Sequence, residues 1–160
     1  MFNTSDQALA FAFRMRHSHV VSLPSAAYMA HNSSSQHSGE QLTRYDLHAQ
    51  AGMIFSWLSR RLDDEQLYAF FLHGTIKERR LAASLFVRGN RALFSKYRLN
   101  NTQLRNAVLA RSVREVSEAS GLKQYKAWQF RRELAELFEP IQERLFTAMQ
   151  DELIDRQTPQ

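Results

Sequence analysis

The sequence predicts an all-α fold, a multi-helix bundle that ends in a long C-terminal helix. Three observations predict it. From Leu42 onward apolar residues recur at spacings of three and four, the period of one helix face. Helix start and stop residues punctuate that pattern, among them Thr75 followed by Glu78, and the glycines Gly74 and Gly89. No stretch alternates apolar and polar residues as a half-buried strand does.

The elements follow in chain order. Residues 1–30 form an N-terminal segment, apolar over Ala8–Phe13 and Val20–Leu23 and broken at Pro24, expected to pack on the core. Residues 31–41 are a polar linker or loop, with no apolar residue from His31 to Glu40. The helical domain spans 42–139. Its first strong helix carries Leu47, Ala51, Ile54, Phe55, Leu58 and Leu62 on one face. Asp63 or Asp64 is the expected cap of the next helix, with Leu67, Phe70 and Phe71 inward and Gly74 as its stop. Thr75 and Glu78 make a capping box for a helix carrying Ile76, Leu81, Leu85 and Phe86, which ends near Gly89–Asn90. A further turn or two spans Ala92–Tyr97. Asn100 or Asn101 caps a segment with Leu104, Val108 and Leu109.

The last segment runs from about Lys123 toward Ile154. Phe130, Leu134, Leu137, Phe138, Ile141, Leu145 and Met149 form its apolar stripe, either core or the seam of a homodimer. Pro140 bends this helix or divides it around Phe138–Glu139, leaving 140–160 as an acidic C-terminal helix and tail.

The net charge of +5 is unevenly spread. Residues 1–59 are neutral, residues 60–132 hold 16 basic against 6 acidic residues, and residues 133–160 carry a net −5. A +10 block between neutral and acidic ends points to a polyanionic partner, most often nucleic acid. No cysteine is present, which excludes disulfides, cysteine-ligated metals and thiol catalysis. The longest uncharged stretch, His17–Gly39, is too polar to span a membrane, and Arg14 and Arg16 follow Ala8–Phe13 in the reverse of a secretory signal's order. The expected location is the cytoplasm.

Ser112–Leu134 reads SVREVSEASGLKQYKAWQFRREL. Gly121 supplies a residue tolerant of positive φ between two short helices, Val116 and Ser117 face the second helix, where a small residue permits close approach, and Leu122 plugs the corner. Ala127 and Phe130 fall on the inward face of the second helix. This segment, about 112–134, resembles the helix-turn-helix of DNA-binding proteins, particularly that of sigma-factor C-terminal regions and of phage transcription regulators and antiterminators. Such motifs usually carry Ala where Ser117 stands and an apolar residue where Ser120 stands.

The resemblance implies sequence-specific double-stranded DNA binding in transcription regulation, of phage or mobile-element type, with RNA polymerase as a further partner. Lys123, Gln124, Tyr125, Lys126, Gln129 and Arg132 are then the base-reading candidates. Arg79, Arg80, Arg88, Arg91, Arg105, Arg111 and Arg114 are the phosphate candidates. Trp128 sits awkwardly in this register and is expected in the core or between helices. The alternatives are a protein–protein module whose basic face meets an acidic partner, and an RNA or single-stranded DNA binder that stacks bases on Tyr97 and Tyr125.

Enzymatic chemistry finds little support. Asp46 and His48 at i and i+2 point to different helix faces, and Asp46 is better explained as a first-turn acid. His73 is the C-terminal cation of its helix. His17 and His19 form an H-x-H pair, and His31 and His37 lie in the linker, but four well-placed ligands are lacking. No phosphate-loop, dinucleotide or nucleophile-elbow motif occurs. No enzyme activity, metal or cofactor is expected.

Overall fold

Side-chain caps decide where most of the helices start. In the computed structural model, which describes residues 2–17 and 43–157, Thr43, Thr75 and Asn100 each form a complete capping box with the residue three positions on. They open α2 (Arg44–Leu58), α4 (Ile76–Gly89) and α6 (Asn101–Leu109). Ser112 caps α7 (Val113–Ser120) by accepting the Glu115 N–H at 3.1 Å. The remaining helices are α1 (Ser5–His17), α3 (Asp63–His73), the single turn α5 (Arg91–Phe94) and α8 (Gln124–Met149). A 3-10 turn over Ser95–Tyr97 follows α5, and a π-helical turn over Gln150–Ile154 follows α8. The chain is all-α, with no strand among the described residues. No helix among them is long and apolar enough to cross a membrane. The polar stretch 31–41 and the run Val20–Leu23 lie outside the described residues.

One core runs through the bundle. Leu9, Ala12 and Phe13 of α1 are buried against α2, α3 and the last turns of α8, and Ser5 Oγ donates to the Phe146 carbonyl at 2.7 Å. Phe13 meets Phe55 and Phe70 edge-on at 5.0 and 5.1 Å between ring centroids. Phe138 of α8 gathers Tyr68, Phe71 and Phe86 within 5.3 Å. At the other end α4 packs on α6, α6 on α7 and α7 on α8. Glu65 is fully buried and is held by Arg61 Nε at 2.8 Å, with Arg144 Nη1 at 4.0 Å. A buried carboxylate persists only with such partners.

Several expectations are corrected here. Neither Asp63 nor Asp64 caps α3. Leu62 is the N-cap without a side-chain bond, and Asp63, Asp64 and Glu65 instead occupy the first turn, where the helix dipole favours acids. Leu62 is exposed, and the buried residue missing from that stripe is Trp57, whose Nε1–H donates to Glu152 Oε2 at 2.6 Å. On α4 only Phe86 of the expected apolar set is buried; Ile76, Leu81 and Leu85 face solvent. Ala82, Ala83 and Val87 join Phe86 inside, since α4 lies between α3 and α6 and small residues let helices approach closely. α8 is one helix through Pro140. Leu134 before the proline and Ile141, Leu145 and Met149 after it are buried, so the stripe is core.

Candidate nucleic-acid interface

α6, α7 and the first turns of α8 form three consecutive helices, each packed on the next. The tight turn between α7 and α8 rests on Gly121, which adopts φ 74 as the α7 C-cap and donates its N–H to Ser117 O at 2.8 Å. Val116, Ala127 and Phe130 close on one another with no exposed surface. Leu122 is half-buried against this core. Ser117 Oγ donates to Leu122 O at 2.6 Å; Ser120 Oγ donates to Val116 O at 2.5 Å and accepts from Leu122 N–H at 3.3 Å. The two serines therefore satisfy backbone groups in the turn, which accounts for polar residues at positions where such motifs carry Ala and an apolar residue.

α8 starts differently from the capped helices. Lys123 is its N-cap and makes no side-chain cap bond, and its first turn contains Lys126 and no acid. The first turn of this 26-residue helix holds no acid of its own, and Glu118 of α7, paired with Arg114, lies in the depression beside Gln124. Lys123, Gln124, Lys126 and Arg132 are exposed, as is Tyr125 at 64%. Gln129 is half-buried, with Nε2 donating to Glu133 Oε1 at 3.3 Å. Trp128 is 55% exposed, against the expectation of a core position, and Arg132 stacks over its ring at 5.1 Å. Gln124, Trp128 and Arg132 recur every four residues and share one face.

The chain matches no protein-family profile, no characterised protein and no solved structure.

The phosphate candidates fall into separate groups. Arg111 and Arg114 stand beside the turn. Arg111 is exposed, its backbone N–H donating to Glu115 and its carbonyl accepting from Arg131 Nη1 at 2.7 Å. Arg114 pairs with Glu118 at 3.0 Å, both well exposed, and shares a shallow depression with Ser117 and Gln124. Arg88, Arg91 and Arg105 meet elsewhere, in a cleft between α4 and α6. Arg80 is exposed on α4. Arg79 is half-buried, and its Nε donates to Phe71 O at 3.0 Å, closing the C-terminus of α3.

Behind these exposed residues a polar cluster fixes α8 on the 3-10 turn. Glu133 accepts from the Lys96 ammonium and from the Tyr97 hydroxyl, the latter at 2.6 Å. Burial raises the Glu133 carboxyl, but the hydrogen bonds from Lys96, Tyr97 and Gln129 outweigh it and hold the group below its ordinary range. Tyr97 is thus a buried anchor rather than a stacking platform. Burial, then Glu133, pushes its phenol well above the ordinary value.

Asp46 is the N3 carboxylate of the Thr43 capping box, and His73 Nε2 lies 3.0 Å from Asp6 of α1. No group of three His, Asp or Glu able to hold a metal occurs among the described residues, and His19, His31 and His37 lie outside them.

Proposed function

We propose that this chain binds double-stranded DNA in a sequence-specific manner through its helix-turn-helix and acts in transcription regulation. The single observation that carries the reading is the start of α8, an uncapped helix N-terminus flanked by Lys123 and Lys126 with Gln124, Tyr125 and Arg132 exposed beside it. A helix of this kind suits the major groove, with Gln and Arg at base edges and lysines on phosphate. The +10 charge of residues 60–132 supplies the sequence-independent attraction. A phage or mobile-element setting in the cytoplasm, with RNA polymerase as a second contact, rests on the resemblance of Ser112–Leu134. The exposed Tyr125 and Trp128 beside Arg132 favour a second reading, in which single-stranded nucleic acid stacks on α8.

Fluorescence anisotropy with a random duplex at several salt concentrations tests both readings. The logarithm of affinity falls with the logarithm of salt at about −0.9 per neutralised phosphate on a duplex and about −0.7 on a single strand. K123A/K126A is expected to reduce the duplex slope by about 2. Q124A is expected to cost about 1–3 kcal/mol on a selected sequence while leaving random duplex unaffected. Absence of salt-dependent binding at low ionic strength would remove the nucleic-acid reading and leave the protein–protein alternative.

A further inference from the structure

The cleft between α4 and α6 holds three arginines with nothing to neutralise them. Arg88 comes from the last turn of α4, Arg91 from the start of α5, and Arg105 from α6. Ser84, Asn101 and Thr102 complete its polar lining, and no carboxylate is among the lining residues. Arg61, Arg114 and Arg144 show the contrast, paired with Glu65, Glu118 and Asp64. None of the described acids pairs with Arg88, Arg91 or Arg105. Arg105 goes further, because its Nε is buried with no hydrogen-bond partner.

Arg105 Nε is orphaned in this arrangement of the side chain, and a ligand that draws the guanidinium into the cleft would supply the acceptor it lacks. Charges of one sign lining a concave, low-dielectric site focus the field there and raise the local concentration of anions. α6 adds to this field. Its capping box satisfies the Gln103 N–H, while Asn101 and Thr102, the first two helical residues, line the cleft. The volume of about 390 Å³ lies within the range of small-ligand sites.

The shape of the donors selects the anion. A planar carboxylate is filled by one guanidinium fork, whereas three forks from three elements suit an oxyanion with oxygens in several directions. We propose that the α4–α6 cleft is a phosphate-binding site, with Arg88, Arg91 and Arg105 as the ligating side chains. The phosphate has two sources, a free phosphate ester such as a nucleotide or the backbone of a duplex; only the second rests on the DNA-binding reading.

The test uses the full chain and three probes, inorganic phosphate, ATP and a random duplex, each against chloride of equal ionic strength. The readout is the Arg105 Nε–Hε resonance in the nitrogen-15 spectrum, with the melting temperature alongside. Inorganic phosphate or ATP is expected to move that resonance and raise Tm. R88Q/R91Q is expected to weaken the effect about tenfold or more, the loss of at least one charge-assisted bond. K77Q, on the same helix but outside the cleft, is expected to behave as wild type.

A response to ATP without one to duplex assigns a free ester, and a response to duplex alone assigns the backbone. A silent Arg105 resonance with all three probes overturns the site, even where the duplex binds elsewhere on the chain. Phosphate binding without any duplex binding keeps the site and removes the DNA reading.

Discussion

At Gly121 the backbone sits at φ +74, and nothing lies within 4 Å of the position a Cβ would take. Gly74 is the reverse. Its φ is −67, which any residue adopts, but a Cβ there would stand 2.5 Å from Phe70 O and 2.9 Å from Glu78 Cβ. G121A therefore meets only the left-handed penalty, about 1 kcal/mol. G74A drives a methyl into backbone, an overpacking that costs about 1–3 kcal/mol. Urea unfolding of the two variants is expected to rank G74A as the less stable; the opposite order would show that the turn at residue 74 yields. The role of Gly121 was legible in the sequence because positive φ has a residue signature. Ser117 and Ser120 were not legible, since their value depends on which turn carbonyls lie within reach. Tyr97 misled because Lys96 and Arg98 flank it. Arg98 takes φ 52, the chain turns there, and Tyr97 goes inward against Phe130.

The helix starts were the most legible elements, since Thr75–Glu78 is a local pattern that needs no tertiary contact. The inward face of α4 was not, because two helices pack on it and the alanines between them carry little hydrophobic signal. Glu78 shows how far one element's chemistry extends. Its carboxylate closes the capping box and also accepts from Arg16 of α1. The Arg16 hydrogen bond holds Glu78 at about 2, against an ordinary 4.5. A depressed carboxyl stabilises the fold above the unfolded value, and the contribution disappears as pH falls from about 4.5 through about 2. The pair is partly exposed, so solvent screening limits it to about 1 kcal/mol. E78Q keeps a residue suited to the capping box and removes the charge. Its stability deficit is expected to be full above about pH 5 and to vanish toward about pH 2, measured by denaturation across that range. A deficit independent of pH would assign the effect to the cap alone.

At the scale of the molecule, the apolar periodicity foresaw the fold class and the order of charges along the chain foresaw the charge partition, but neither foresaw how α8 is used. Pro140 and the change to acidic sequence suggested a boundary at 139–140. The structure carries one helix across it because the core needs residues on both sides. Ile141, Leu145 and Met149 are buried, Phe146 O accepts from Ser5, and Arg144 pairs with Asp64 at 2.6 Å. Losing one buried Leu, Ile or Met side chain costs about 2–5 kcal/mol. Losing three, about 6–15 kcal/mol, is as much as the about 5–15 kcal/mol that holds a typical domain together. A chain ending at Glu139 is expected to show no cooperative transition in urea and no near-ultraviolet circular dichroism. A sharp transition would show that the last 21 residues are dispensable to the core. The cleft arginines were named from charge alone, and their convergence was invisible because α4 and α6 meet only in the folded chain.

The unbroken course of α8 also has an electrical consequence. From Gln124 to Arg132 its charged side chains are Lys126, Arg131 and Arg132; from Glu133 to Met149 they are four glutamates and Arg144. Side-chain charges usually oppose the peptide dipole of a helix, and here they add to it. The rod, about 39 Å long at 1.5 Å per residue, has its positive pole at the turn that follows Gly121; its negative half packs its apolar side on the core and leaves Glu136, Glu139 and Glu143 exposed. In the field of any polyanion such an object experiences a torque before it makes contact. It is turned to arrive turn-first, and the aligning force fades beyond the roughly 8 Å over which physiological salt lets charges sense each other.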